Sequence, residues 1–107
     1  MIEILKIAGA EIPRQKIAEF CQRWKVKEFS LFGSVLRKDF GPESDIDVLV
    51  SFAEDAGWSL MDLVSMQDEL KEIFGREVDL VEKEALRNPF RKRSILAGKE
   101  VIYEAGR

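Results

Sequence analysis

Gly33-Ser34-Val35-Leu36-Arg37 and, further along, Ser44-Asp45-Ile46-Asp47-Val48-Leu49-Val50 are the stretches whose reading decides the fold of this chain. In the second, Asp45, Asp47, Leu49 and Ser51 alternate with Ile46, Val48, Val50 and Phe52, the period of a β-strand with two chemically different faces. Both aspartates fall on the same face. Two residues apart on a strand, their Cα atoms are about 6.6 Å apart and their carboxylates can converge on one ion. Without a cation, two such charges about 6 Å apart repel by roughly 3 kcal/mol at an effective dielectric near 20. A divalent ion completed by phosphate oxygens turns that repulsion into binding. In the first stretch, Gly33 lets a backbone approach a ligand closely, and Ser34 offers a hydroxyl and an amide where a short helix is expected to start, a favourable place for an anion. Taken singly, an Asp-x-Asp is more often a solvated strand and a Gly-Ser an ordinary turn. A strand entering the turn, a helix leaving it and paired carboxylates on the next strand make them one candidate site: a phosphate cradle facing a metal.

Outward from this centre, Pro13 is expected in the first turn of a helix whose buried face carries Ile17, Phe20, Cys21 and Trp24. Glu28 to Phe32 reads as a strand, Val35 to about Lys38 as a short helix, and Asp39 to Glu43 as a loop. Ser59 and Asp62 resemble a capping box for a helix with an apolar stripe of Leu60, Leu63, Val64, Gln67, Leu70 and Phe74, ending at Gly75. Glu77 to Val81 is a third strand, with Asp79 on the face opposite Val78 and Leu80. A last helix is capped by Asn88-Pro89 and stopped by Gly98, before a strand from Val101 to Tyr103. This alternation predicts one domain over residues 1–107, an α/β or α+β fold with a small mixed sheet and helices packed largely on one side. The strand order does not follow from the pattern.

Composition narrows the chemistry. The chain has 107 residues and a net charge of −3, which argues against a general nucleic-acid binder and gives a phosphate-handling site reason to use a metal. It has no histidine, so catalysis must rest on carboxylates and hydroxyls, which suit a hard ion such as Mg2+. The single cysteine, Cys21, the absence of a long apolar run and the absence of a signal-peptide pattern lead to the expectation of a cytoplasmic protein with no membrane partner. Self-association is left open. Arg87, Arg91, Lys92, Arg93 and Lys99 form the basic concentration, read here as a solvated helix face, with a docking surface for a partner or triphosphate as the alternative. Trp58, Met61 and Met66 flank the middle helix as core or interface residues. Asp79 by itself reads as a solvent-facing residue, unless its strand neighbours that of Asp45 and Asp47.

The Gly33-Ser34, ten-residue gap, Asp45-x-Asp47 pattern resembles the signature of the DNA polymerase β-like nucleotidyltransferase superfamily. The size of the chain makes it similar to the minimal nucleotidyltransferase family, short proteins that act as antitoxins to HEPN-domain ribonucleases. The resemblance extends to Ser44, the Arg76-x-x-Asp79-Leu80-Val81 strand, Asn88-Pro89 and Val101-Ile102-Tyr103. It departs from the family at Lys38, where many relatives have glycine, and at Val35, which is often basic. The resemblance implies a polymerase β-like palm in which Asp45, Asp47 and Asp79 hold Mg2+, as two ions, while Gly33, Ser34 and Arg37 bind the phosphates of ATP. It also implies the reaction, transfer of AMP to a tyrosine hydroxyl of a HEPN-domain toxin. A binding protein that masks its partner without turnover, and a small-molecule transferase of the aminoglycoside-modifying kind, are the alternatives.

Overall fold

The computed structural model describes residues 4–7, 10–33 and 45–105. A hairpin of β1 (Ile4–Ile7) and β2 (Ala10–Pro13) leads into α1 (Arg14–Arg23). Then come β3 (Val26–Phe32), β4 (Ile46–Phe52), α2 (Leu60–Phe74), β5 (Val78–Glu82), a 3-10 turn (Lys83–Ala85), α3 (Pro89–Gly98) and β6 (Glu100–Glu104). The main sheet has the order β5-β4-β3-β6. Only β4 and β5 pair in parallel, through the crossover helix α2, so the sheet is mixed as expected. The short helix expected over Val35 to Lys38 and the loop from Asp39 to Glu43 lie outside the described residues.

Burial sets the faces of this sheet. Phe29 and Leu31 of β3 and Ile46, Val48 and Val50 of β4 are buried with Ile17, Phe20 and Cys21 of α1 and Met66 and Leu70 of α2. On the opposite face, Phe32, Leu49 and Ile95 form a second cluster with Val81, Leu86 and Leu96. Thus α1 and α2 cover one face, and α3 covers part of the other. Burial pushes the Cys21 thiol up, so it stays protonated and acts as a small apolar core group.

Three local readings shift. Pro13 ends β2, paired with Ile4, and α1 begins one residue later. The β1–β2 hairpin was not foreseen in the short apolar start. On α2 the capping box forms as expected, with Asp62 N–H donating to Ser59 Oγ and Ser59 N–H donating to Asp62 Oδ2, and Gly75 closes the helix at φ +70°. The buried line, however, runs through Met66 and Leu70, with Leu63, Ile73 and Phe74 packed beside it. Leu60 is 77% and Val64 49% exposed. The helix packs against β5, an edge strand too narrow to cover both sides of the stripe. Gln67 Oε1 accepts the Leu80 N–H on that edge, satisfying a donor that pairs with no strand. Trp58 belongs with the core: its indole N–H donates to the Trp24 carbonyl at 2.7 Å and its ring meets Trp24 edge-on.

Helix α3 is tied down at its far end by a polar contact. Lys99, which follows the helix directly, forms an ion pair with Glu28 of β3, and Ser30 Oγ donates to the same carboxylate. The hydrogen bond from Lys99 holds the Glu28 carboxyl below its ordinary value, against the opposing effect of burial.

Two predictions follow from this packing. Leu70→Ala should destabilise the protein by about 2–5 kcal/mol, whereas Leu60→Ala should change stability by less than about 0.5 kcal/mol, as read by urea unfolding. Equal losses would contradict the assigned face of α2. Because the folded-state pKa of Glu28 is depressed, its contribution is present above the unfolded value and is lost as pH falls through the folded value. Glu28→Gln should therefore cost about 1 kcal/mol at pH 7, with the gap from the parent protein closing as pH falls through the lowered folded-state value of Glu28. A gap independent of pH would rule out the ion pair as its source.

Candidate active site

The site is built on the ends of β3, β4 and β5. Asp47, the second residue of β4, stands in register with Phe32 of β3 on one side and Asp79 of β5 on the other. In a parallel pair, residues in register project to the same face, so the carboxylates of Asp47 and Asp79 share a face and a sheet edge. Asp45 lies exposed just before the strand, and the next residue, Ile46, donates its N–H to the Glu77 carbonyl at 2.9 Å. That bond joins the approach to β4 to the approach to β5, setting Asp45 at the same end of the sheet. The neighbour relationship left open for Asp79 is therefore present.

Gly33 follows the last residue of β3 with φ +72°, a region that residues with a Cβ rarely occupy. A Cβ built there would lie 2.3 Å from Asp47 Oδ2. The absent side chain at Gly33 thus provides the space that the Asp47 carboxylate fills. Ser34 and Arg37, the other expected phosphate-binding residues, lie outside the described residues.

Gly33 and Asp47 form one wall of a cleft of about 400 Å³, and Arg91, Ser94 and Gly98 of α3 line it from the other side. The sequence reading did not single out Ser94, named Gly98 only as the stop of the last helix, and took Arg91 as part of a solvated face with a docking surface for a partner or triphosphate as the alternative. The spacing of 91, 94 and 98 is a helical signal, but only the position of α3 over the sheet gives that signal a target. Another cleft of about 410 Å³ includes Lys27, Trp58, Glu82 and Glu84 and sits at the other end of β4, away from the paired aspartates.

Among the described residues, no three acidic, cysteine or histidine side chains gather as a ready-made ion cage. Mg2+ needs no such cage, because it is commonly held by one or two carboxylates and completed by phosphate oxygens and water. Asp45 and Asp47 are the carboxylates that would hold such an ion, with Asp79 in register beside Asp47. The oxygen-only donor set and a carboxylate seated against a glycine backbone fit a hard ion that arrives with its phosphate.

Comparison with known proteins connects this geometry to chemistry. Residues 14–102 match the model of the nucleotidyltransferase domain. A Methanocaldococcus jannaschii protein, provisionally named a protein adenylyltransferase, is 38% identical over 93 residues, covering 87% of this chain and 91% of that protein. A crystal structure of a toxin–antitoxin with AMP-PNP superimposes with a TM-score of 0.72 at 18% identity, covering 89% of this chain and 76% of that chain. The structure of a tri-AMPylated Shewanella oneidensis HEPN toxin in complex with an MNT antitoxin gives a TM-score of 0.62 at 18% identity, over 85% of this chain and 69% of that chain. At such low identity the two structures establish a shared fold.

If Gly33 is the space into which Asp47 fits, Gly33→Ala should leave the fold intact at a cost of about 1–2 kcal/mol for the left-handed backbone. It should also lower any activity of the site more than that stability loss accounts for, at a temperature well below the unfolding midpoint. Retention of full activity by the folded variant would show that the Gly33–Asp47 approach is incidental.

Proposed function

Because the chain belongs to the nucleotidyltransferase domain family, we propose that this nucleotidyltransferase is a Mg2+-dependent protein adenylyltransferase. It moves AMP from ATP to a tyrosine hydroxyl of a HEPN-type toxin and so serves as that toxin's antitoxin. The observation that carries this reading is the register of Asp47 with Asp79 beside Gly33, at the mouth of a cleft large enough to admit a phosphate chain. The names of the relative and of the two solved complexes support the choice of ATP as donor and of a HEPN toxin as acceptor.

In this reading Asp45 and Asp47 hold the metal, with Asp79 completing the set. Gly33 presents its backbone to the β- and γ-phosphates, and Ser34 and Arg37, assigned from the sequence pattern alone, are proposed as further phosphate ligands. Bound there, Mg2+ would supply charge neutralisation at the α-phosphate. Asp79 orients the incoming hydroxyl and takes its proton, a task a carboxylate must perform in a chain without histidine. The acceptor oxygen forms a bond to the α-phosphorus as the bond from that phosphorus to the bridging oxygen breaks, and pyrophosphate leaves in line with the attack. The acceptor must be brought to the cleft on the surface of another protein. Among the described residues no helix is long and apolar enough to cross a membrane, and the buried, unpaired Cys21 is compatible with the reducing cytoplasm in which such a reaction would take place.

The test is to incubate the protein with α-labelled ATP, Mg2+ and the product of the neighbouring gene, followed by mapping of the labelled residue. Label is expected on a tyrosine of the partner, falling about 100-fold or more in Asp45→Ala and Asp47→Ala. Absence of label, together with unimpaired neutralisation by both variants, would favour a protein that acts by masking. Label on an aminoglycoside with no partner present would instead establish a small-molecule transferase.

A further inference from the structure

We propose that Arg91, assisted by Ser94, is the residue of α3 that binds the phosphate chain of the nucleotide beyond its α-phosphate, from the wall opposite Gly33. The inference rests on the reading of ATP as donor and names a contact that reading does not contain.

The electrostatics of the cleft call for such a group. One wall carries Asp47, with Asp45 and Asp79 at the same end of the sheet, so the described side chains nearest the reacting phosphate are carboxylates. A metal held there acts on charge locally, whereas the rest of a triphosphate remains strongly anionic and gains from a cation on the facing wall. Among the described residues that line the cleft, Arg91 alone carries positive charge. Its guanidinium forms no ion pair with any described residue, in contrast to Lys99, which is committed to Glu28. A planar guanidinium with several donors matches phosphate oxygens in a way that a lysine ammonium does not.

The backbone beneath Arg91 is fixed. Asn88 Oδ1 accepts the N–H groups of Phe90 and Arg91 at 2.9 and 3.1 Å, capping the first turn of α3. Ile95 anchors the middle of the helix among Phe32 and Leu49, and the Lys99–Glu28 pair fastens its end. Ser94 stands one turn after Arg91 and offers a hydroxyl to the same space. At Gly98 an added Cβ would meet nothing within 4 Å, so this end of the helix leaves the cleft open. The wall is thus an anchored helix face bearing one exposed cation, the arrangement that reads an anion without reorganising the fold.

The inference is tested by titrating ATP and AMP, each with Mg2+, into the full chain and into Arg91→Ala, Arg91→Lys and Gly98→Leu. Arg91 is exposed, and the Gly98 position is open, so these variants should fold, which circular dichroism checks. Arg91→Ala should weaken ATP about 10- to 100-fold and leave AMP within about twofold. Arg91→Lys should recover part of the loss, and Gly98→Leu, which narrows the cleft, should weaken both nucleotides. Unchanged ATP affinity in Arg91→Ala, or an equal loss for ATP and AMP, would overturn the role of Arg91 while leaving the donor assignment standing. Failure of the unmodified protein to bind ATP would overturn both.

Discussion

Burial of Ile46, Val48 and Val50 against α1 and α2 is the constraint on which the site depends. Side chains alternate along a strand, so committing these three to the core commits Asp47 and Leu49 to the other face. A slip of one residue would bury the aspartate and expose three apolar side chains, at about 1.5–3 kcal/mol for each of those, before the cost of an unpaired buried charge. The carboxylate is therefore held in place by hydrophobic packing on the side of the sheet it does not occupy.

The neighbouring elements refine that placement. Strand β5 brings Asp79 alongside because α2 returns the chain for a parallel pairing, and α2 can do so because Met66 and Leu70 bury against the same face as Ile46 and Val48. Strand β3 delivers Gly33 where a side chain would collide with the carboxylate. Helix α3 then closes the cleft, resting on the second apolar cluster and fastened by Glu28 and Lys99. The site face of the sheet is accordingly divided lengthwise: carboxylates at one end, an apolar patch of Phe32, Leu49 and Val81 beneath α3, and polar pairs such as Ser51 with Glu84 at the other. The apolar patch supports α3 and leaves the acidic end accessible.

Much of this was legible in the chain. The alternation read over Asp45 to Phe52, the capping box at Ser59 and Asp62, the stop at Gly75 and the Asn88-Pro89 start are local signals carried by a few adjacent residues, and each appears where it was read, except that the strand begins at Ile46 and leaves Asp45 just before it. What was not legible depends on contacts distant in sequence. Asp79 could be placed beside Asp47 only once the strand order was known, because alternation fixes a residue's face and says nothing of its neighbour strand. Arg91, Ser94 and Gly98 look like an ordinary helix stripe until α3 is seen to lie over the sheet. The stripe of α2 was misread at Leu60 and Val64 because helical periodicity gives the width of an apolar face, whereas the narrow edge at β5 decides which part of it is covered. Ser34 and Arg37 remain assignments from the sequence pattern, outside the described residues.

The central claim is that the ends of β3, β4 and β5, faced by α3, form a single site for a metal-bound nucleotide. The most direct measurement is paramagnetic broadening of backbone amide resonances when Mn2+ replaces Mg2+ in the presence of ATP. At substoichiometric Mn2+ the account predicts broadening centred on Asp45, Asp47, Asp79 and Gly33, extending across the cleft to Ser94 and Gly98, and falling off steeply towards Ser51 and Glu84 at the far end. Broadening centred on the far end, or spread evenly over the acidic surface, would contradict it.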